Sequence, residues 1–505
     1  MTNKKELSER INRLLGDTEG KAVLLGMGVS NLPLAAMLKK RLPAGALTVR
    51  DGKSAEALLP SLEKLFGGFD ADVTDKPVFE YSGVRFVLGA QPADFSDAEL
   101  DLIDDKTVIF RSPGIRPDAG RIPEATARGA LLTSEMEWFC SETPADIIAV
   151  TGSDGKTTTT TLTHLLISGS GRQAYVGGNI GTPLLDRADG MKEGDFAVLE
   201  LSSFQLQTMS GPAVRAAITN ISPNHLNWHT DMDEYTNAKY HVFGENTELL
   251  VLNAMNPLSR AAADVFGGHV TFFTARNAED ATFETLTGGR PDSSAVWLKD
   301  GYVVFSDGQT EEKWLKVSDI KLPGIHNIEN YMTAAALTRG IRAPGVLEKT
   351  AASFGGVEHR FELVRVLRDV KYYNSSIDSS PSRTVAALSN LDCRPVVICG
   401  GRDKHVPFDP LAEALLDRAS AVVLTGEAAE QIKSAIIKAA ASREEGGASL
   451  TGVWEPEFES AARRASELAK AGSAVILSPG CTSFDRFANF EERGRYFKKL
   501  VSELE

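Results

Sequence analysis

At 505 residues, with 42% apolar and 24% charged side chains, the chain is too long for one ordinary core and too apolar for large-scale disorder. Its 54 Lys and Arg against 68 Asp and Glu give a formal net charge of −14, which argues against nonspecific binding to nucleic acid or anionic membrane; any phosphate must be held by local amides and a few basic side chains. Four cysteines without metal spacing read as reduced thiols, Met1 to Arg10 lacks an apolar signal region, and no run approaches the ~20 apolar residues that span a bilayer, so a cytoplasmic protein is expected.

Short apolar runs recur, each followed by a glycine-containing turn and a helical pattern. The first third has Ala22–Leu25, Leu47–Arg50, Val84–Leu88 and Thr107–Arg111. The middle has Ile147–Val150, Phe196–Leu199, Ala216–Thr219 and Leu249–Leu252, and the last third has Pro395–Cys399, Ala421–Leu424 and Ala474–Leu477. Runs of this length between helices predict buried parallel strands. Residues 278–319 alternate polar and aromatic side chains, as an antiparallel insertion does. Linkers near 134–145 and at Phe354-Gly355-Gly356 predict three α/β domains, 1–137, 138–356 and 357–505. Each is expected to carry a Rossmann-like, doubly wound, mostly parallel sheet, the central one of the P-loop ATPase type.

The first glycine turn, Gly26-Met27-Gly28-Val29-Ser30-Asn31, resembles a dinucleotide fingerprint, with Asp51 closing the next strand. Asn31 replaces its third glycine. NAD, another nucleotide and an ordinary α/β turn all stay open on this evidence. Ile147 to Thr158 is the sharper signal: a strand, the loop Gly152-Ser153-Asp154-Gly155, then Lys156-Thr157-Thr158 opening a helix. Glycines let amides curl around a phosphate, a helix N-terminus adds its dipole, Lys156 reaches β/γ-phosphates and the Thr157 hydroxyl suits Mg2+. Val150 stands where the strict GxxxxGK(S/T) pattern has its first glycine, so this is a shortened loop; the alternative is a tight turn with a surface lysine. Downstream, Glu200 ends an apolar strand, His225 follows another, and Lys239 lies in Glu234–Tyr240. Singly these read as ordinary loop or helix residues; their order behind a phosphate loop raises a metal-binding reading.

TGSDGKTT, GGNIG (177–181), LELSSFQL (199–206), NHLNWH (224–229), GIHNIEN (324–330), EHRFE (358–362), GGRDK (400–404) and SPGCTSFDRFANFEERG (478–494) together resemble the Mur ligases, in family order over nearly the whole chain. ELSSFQL and SFDRFANFEERG look most like the D-glutamate-adding members. The resemblance implies that ATP phosphates and Mg2+ would be held by Gly152, Ser153, Asp154, Gly155, Lys156, Thr157 and Thr158, with Asn327, Asn330 and Arg360 as further ATP contacts. Thr157, Glu200, His225 and Lys239 would ligate the metal, Lys239 as a carbamate, and Lys156, Glu200, His225 and Lys239 would be catalytic. Val29, Ser30, Asp51, Gly52, Lys53 and Gly114 would surround the uridine diphosphate, with Asn179, Ser202 and His225 nearer the muramoyl group. Ser379, Lys404, Ser483 and Phe490 would form the D-glutamate pocket. The family's NDSKATN segment appears here as Asn374-Ser375-Ser376-Ile377-Asp378-Ser379-Ser380, and Asn227 stands where an aspartate is usual.

The implied reaction is ATP-dependent amide formation between UDP-N-acetylmuramoyl-L-alanine and D-glutamate through an acyl phosphate, by a monomer with no nucleic-acid or membrane partner. The rivals are a sibling Mur-type or folylpolyglutamate-type ligase with another amino acid, an NAD-dependent oxidoreductase, and a P-loop binding module without chemistry.

Overall fold

The computed structural model describes residues 4–28, 31–67, 77–181, 183–226, 228–276, 280–322, 324–389, 391–403, 407–443 and 450–504. Three sheets organise them. The first holds β1 (Lys21–Leu25), β2 (Leu47–Asp51), β3 (Val78–Tyr81), β4 (Val84–Leu88), β5 (Thr107–Arg111) and β6 (Leu131–Thr133), in the order β3-β4-β2-β1-β5-β6. All its pairings are parallel except β3 with β4. The second holds β7 (Asp146–Thr151), β8 (Ala174–Gly178), β9 (Phe196–Glu200), β10 (Arg215–Ile218), β11 (Leu249–Asn253), β12 (His269–Thr274), β13 (Ser293–Lys299), β14 (Tyr302–Ser306) and β15 (Glu311–Lys316). Its order is β15-β14-β13-β12-β11-β10-β7-β9-β8.

The insertion expected over 278–319 is only partly antiparallel. β13 continues the parallel run beside β12, and antiparallel pairing starts at β14 and β15. Nor are residues 134–145 a plain linker. Ser134 accepts a hydrogen bond from the Glu137 amide at 3.1 Å and caps the helix Glu135–Glu142, whose Trp138 and Phe139 are buried. The Ser-x-x-Glu signature explains this: a side-chain cap satisfies an orphan amide and fixes a helix start.

The third sheet holds β16 (Glu362–Leu367), β17 (Val370–Asn374), β18 (Val396–Gly400), β19 (Ala421–Thr425), β20 (Thr451–Trp454) and β21 (Ala474–Leu477), in the order β16-β17-β21-β18-β19-β20. β16 and β17 form an antiparallel hairpin and the rest pair in parallel. Two compact units result, Met1–Ser353 with the first two sheets and Phe354–Glu505 with the third.

In every sheet the chain lays later strands on both sides of one strand: β1 between β2 and β5, β7 between β9 and β10, β18 between β19 and β21. Loops leaving such a switch point diverge and open a crevice at the strand's carboxyl end. The three glycine motifs, after Leu25, Thr151 and Cys399, sit there.

Candidate active site

β7 delivers the chain into Gly152, and the helix Lys156–Ser168 starts immediately after Gly155. Gly152 has φ +145° and Gly155 +79°, and a Cβ on them would fall 2.0 Å from Thr219 Oγ1 and 2.5 Å from Asn330 Oδ1. Only glycine fits either place. The Thr219 hydroxyl lies 2.6 Å from the Asp154 carbonyl, and the Asp154 amide donates to Asn220 Oδ1 at 3.0 Å. Ser153 Oγ accepts from the Ser222 amide at 3.0 Å and lies 2.9 Å from the Tyr235 hydroxyl. Lys156 Nζ folds over the loop and donates to the carbonyls of Gly152 and Ser153 at 3.0 and 2.9 Å. Asn330 accepts from the Thr159 hydroxyl at 3.1 Å and donates to Asn327 Oδ1 at 3.2 Å, so both asparagines stand beside the loop. Thr157 is buried in the first helical turn and Thr158 half-buried. Arg360, exposed, belongs to the other unit.

Parallel pairing sets Glu200 in register with Val150, one strand from the loop. It is 2% exposed; Oε1 accepts from Asn179 Nδ2 at 2.7 Å, while Oε2 has no hydrogen-bond partner among the described residues. Lys239, also 2% exposed, donates to the Gly152 carbonyl at 2.9 Å and lies over the Tyr235 ring at 4.5 Å. Burial pushes its ammonium well below the usual lysine range and the Lys156 charge pushes it further, against the opposing pull of Asp154 and Glu200. His225, at the solvent-exposed mouth with φ +55°, packs edge-on to Phe204 at 5.0 Å. Partial burial lowers its imidazole, and the charges of Lys239 and Lys156 lower it again. Loop, carboxylate and lysine therefore stand together, with the histidine within the electrostatic reach of both lysines.

Among the described residues no group of three or more His, Cys, Asp or Glu could hold a metal ion. A hard cation that keeps water and phosphate oxygens as most of its shell needs fewer protein donors. An unpartnered buried carboxylate oxygen, a neutral imidazole and a lysine disposed to be neutral fit such a cation.

On the first sheet one Asp51 oxygen accepts from the Met27 amide at 2.5 Å, fastening the Gly26–Gly28 turn, and the other accepts from the Lys53 amide at 2.8 Å in its own loop. That leaves it unlike a carboxylate turned outward to grip a ribose, as a dinucleotide fold would need. Asn31, fully buried, donates to the Gly26 carbonyl at 2.8 Å and to Ser112 Oγ at 3.3 Å, stitching the turn to the Ser112-Pro113-Gly114 segment. Gly114 accepts from the Trp228 indole at 3.3 Å. Gly52 and Lys53 are exposed beside Asp51. Ser202 caps the short helix Ser203–Leu206 in a reciprocal capping box with Gln205. Val29, Ser30, Asn227 and Lys404 lie outside the described residues.

In the second unit Ser379 is half-buried after the Asn374–Asp378 turn, and Ser483 is 2% exposed beyond β21. Phe490 opens the helix Phe490–Ser502 and its carbonyl accepts from Ser376 Oγ at 2.8 Å. Buried Arg493 donates to Ser376 Oγ, Ser376 O and Cys481 O, binding these turns together.

Sequence reading missed the supports: Thr219, Asn220 and Tyr235 under the loop, and two arginines joining the first sheet to the middle one. Arg111, 1% exposed, donates to the carbonyls of Ile115 and Phe204 at 3.0 and 2.9 Å. Arg116 donates to Glu234 at 2.9 Å and to the Trp228 carbonyl at 2.5 Å. Arg111 ends a strand that is buried at every position, and an arginine after Val108-Ile109-Phe110 was the available signal.

Residues 150–338 match the family described as Mur ligase middle domain, and residues 359–481 that described as Mur ligase, glutamate ligase domain. The UDP-N-acetylmuramoylalanine–D-glutamate ligase of Acetivibrio thermocellus is 38% identical over 487 residues, covering 96% of this chain and 97% of that protein. The protein of the same name from Ruminiclostridium cellulolyticum is 38% identical over 502 residues, covering 99% and 100%. That from Clostridium novyi is 40% identical over 484 residues, covering 95% and 96%.

Proposed function

This chain belongs to the Mur ligase family, and we propose that it adds D-glutamate to the alanyl carboxylate of UDP-N-acetylmuramoyl-L-alanine at the expense of ATP, in peptidoglycan precursor synthesis. What supports the chemistry is that Lys156 and Lys239 both bond the glycine loop, Glu200 lies one strand away in register with Val150, and His225 is within the electrostatic reach of both lysines. A carboxylate does not acylate an amine until its oxygen becomes a leaving group. Attack on the γ-phosphate expels ADP and gives an acyl phosphate; the amine of D-glutamate then attacks its acyl carbon, loses a proton and expels phosphate.

The loop amides and the dipole of the helix Lys156–Ser168 bind the phosphates. Lys156, released from the carbonyls of Gly152 and Ser153, turns to the β/γ-phosphate oxygens and stabilises charge during transfer. Asn327 and Asn330 sit where the nucleotide crosses the start of their helix. Magnesium, when bound, neutralises phosphate charge and orients the transferring group. Thr157, Glu200, His225 and Lys239 would hold it. Lys239 as a neutral amine can add CO2 and become an anionic oxygen donor, which gives a buried lysine a purpose beside a cation. Asp51, Gly52, Lys53 and Gly114 would meet the uridine diphosphate, Asn179 and Ser202 the muramoyl part, and Ser379, Ser483 and Phe490 the amino acid, with Val29, Ser30, Lys404 and Arg360 in the roles first expected of them. A division into domains 1–137, 138–356 and 357–505 and a cytoplasmic site of action accompany this reading; among the described residues no helix is long and apolar enough to cross a membrane.

The test is phosphate release from ATP with UDP-N-acetylmuramoyl-L-alanine and, in turn, D-glutamate, L-glutamate, L-lysine or L-alanine. Release with D-glutamate alone, and only with both co-substrates, is expected. Equal release with another amino acid would overturn the substrate assignment.

A further inference from the structure

The middle sheet has a second concavity, at the edge opposite the phosphate loop. β10, β11 and β12 begin at Arg215, Leu249 and His269, and these residues line a cavity of about 780 Å³. That is within the range of roughly 300–1,000 Å³ usual for small-molecule sites. The other wall is the C-terminal end of the helix Ile325–Leu337 with the turn that follows, and the hairpin of β14 and β15 closes one side.

Two guanidinium groups on the wall are only partly used. Arg215 spends one nitrogen, Nη1, on the carbonyls of Leu337 and Arg339 at 2.9 and 2.8 Å. Arg342 spends one, Nη1, on the carbonyl of Ala335. Neither side chain makes an ion pair among the described residues, so each keeps Nε and Nη2 unspent. Both are half-buried, and burial lowers Arg215 and pushes Arg342 down to about 10. Removing a cation from water without a counter-charge is costly, and a planar pair of N–H donors suits an oxyanion.

The remaining charges narrow the occupant. Arg339 pairs with Glu312 at 3.3 Å, and Glu312 also accepts from the Trp314 indole at 2.8 Å, so this carboxylate is occupied. Glu248 and Glu348 are exposed and form no ion pair with either arginine among the described residues, although Glu248 acts on Arg215, and Glu312 and Glu348 on Arg342, through their charge, against the larger effect of burial. Phe305 and Trp314 stack at 4.6 Å, with Arg339 over the first ring and Arg342 over the second, which braces the guanidiniums in place. Three carboxylates against four cationic side chains would repel a polyanion but leave room for one oxyanion group.

We propose that this cavity binds a small metabolite through a single phosphate or carboxylate group, gripped by the free guanidinium edges of Arg215 and Arg342. The site is separate from the ligase reaction, and its failure would leave that reading untouched. The experiment uses the full chain saturated with magnesium and ADP, so that the phosphate loop is filled. Inorganic phosphate and malonate are titrated separately by calorimetry into the native protein, Arg215→Gln and Arg342→Gln. Saturable binding of either probe, weakened at least ~10-fold in each variant as expected for loss of a charge-assisted contact, supports the site. The preferred probe tells phosphoryl from carboxylate ligands. No binding of either, or equal binding in all three proteins, overturns it. Because both substitutions also remove bonds to a helix end, native crystals soaked in selenate provide an independent reading. An anomalous peak within hydrogen-bonding distance of both arginines is expected, and a peak at the phosphate loop only, or none, refutes the proposal.

Discussion

A lysine buried to 2% exposure next to a second lysine is unfavourable in the fold unless it surrenders its proton. Burial and the Lys156 charge lower the proton affinity of Lys239 below that of the unfolded chain. Between the lowered value and 10.5 the unfolded state binds more protons, so this residue's stability contribution improves as pH rises through that window and is poorest below it. Lys239→Met keeps the volume and removes the penalty. It is expected to raise the melting temperature at neutral pH in CO2-free buffer, by an amount that shrinks toward pH 10, while abolishing ligase turnover. An unchanged melting curve would contradict the burial argument. Gly152→Ala tests the loop: with φ +145° and a clash at 2.0 Å, it should cost roughly 1–3 kcal/mol and eliminate turnover. Gly171→Ala, at φ +75° with open space around it, is the control for backbone strain alone and should leave turnover intact. At this scale the sequence was informative wherever a function is local. Gly152, Gly155 and Lys156 announce a phosphate loop within five residues. Thr219 and Tyr235 support the same loop from 65 or more residues away, and only the pairing of strands reveals them.

The helix Glu135–Glu142 shows what element-level reading gained and lost. The Thr143-Pro144 pair suggested a linker, yet the segment before it is helical and its Glu135 is 2% exposed. Burial pushes Glu135 up to about 7 from 4.5, the Leu185 amide only partly offsetting it. In the native state this group holds its proton where the unfolded chain has lost it, so its contribution to stability is intact below pH 4.5 and lost as pH rises through about 7. Glu135→Gln should therefore be more stable than the native protein at pH 8, by up to about 3 kcal/mol, and closely matched to it near pH 4.5. Chemical denaturation across pH checks this; parallel stability curves for the two proteins would contradict it. Among the strands, most apolar runs were legible, but the interior β12 and β17 were passed over along with the polar edges. β3 carries Glu80, β16 is interrupted by Arg365 and has no buried position, and β20 is exposed at three of its four positions. An edge strand buries one face at most, so its sequence loses the continuous apolar signature.

For the molecule as a whole, the α/β class and the three sheets follow from a repeated strand–turn–helix pattern, and the glycine motifs mark the switch point of each. The family resemblance rests on motifs spread over the chain, and it carried the substrate assignments that no spacing could give. What sequence did not disclose is how the first sheet is held to the middle one. Arg111 and Arg116 do this by donating to the backbone carbonyls of Phe204 and Trp228, acceptors that any residue type supplies and no side-chain pattern marks. The central claim is that ATP at the Gly152–Thr157 loop activates the substrate carboxylate. UDP-N-acetylmuramoyl-L-alanine labelled with 18O in that carboxylate, turned over with ATP and D-glutamate, tests it by mass spectrometry of the released phosphate. One labelled oxygen in each phosphate is the predicted result. Amide product accompanied by unlabelled phosphate would contradict the account.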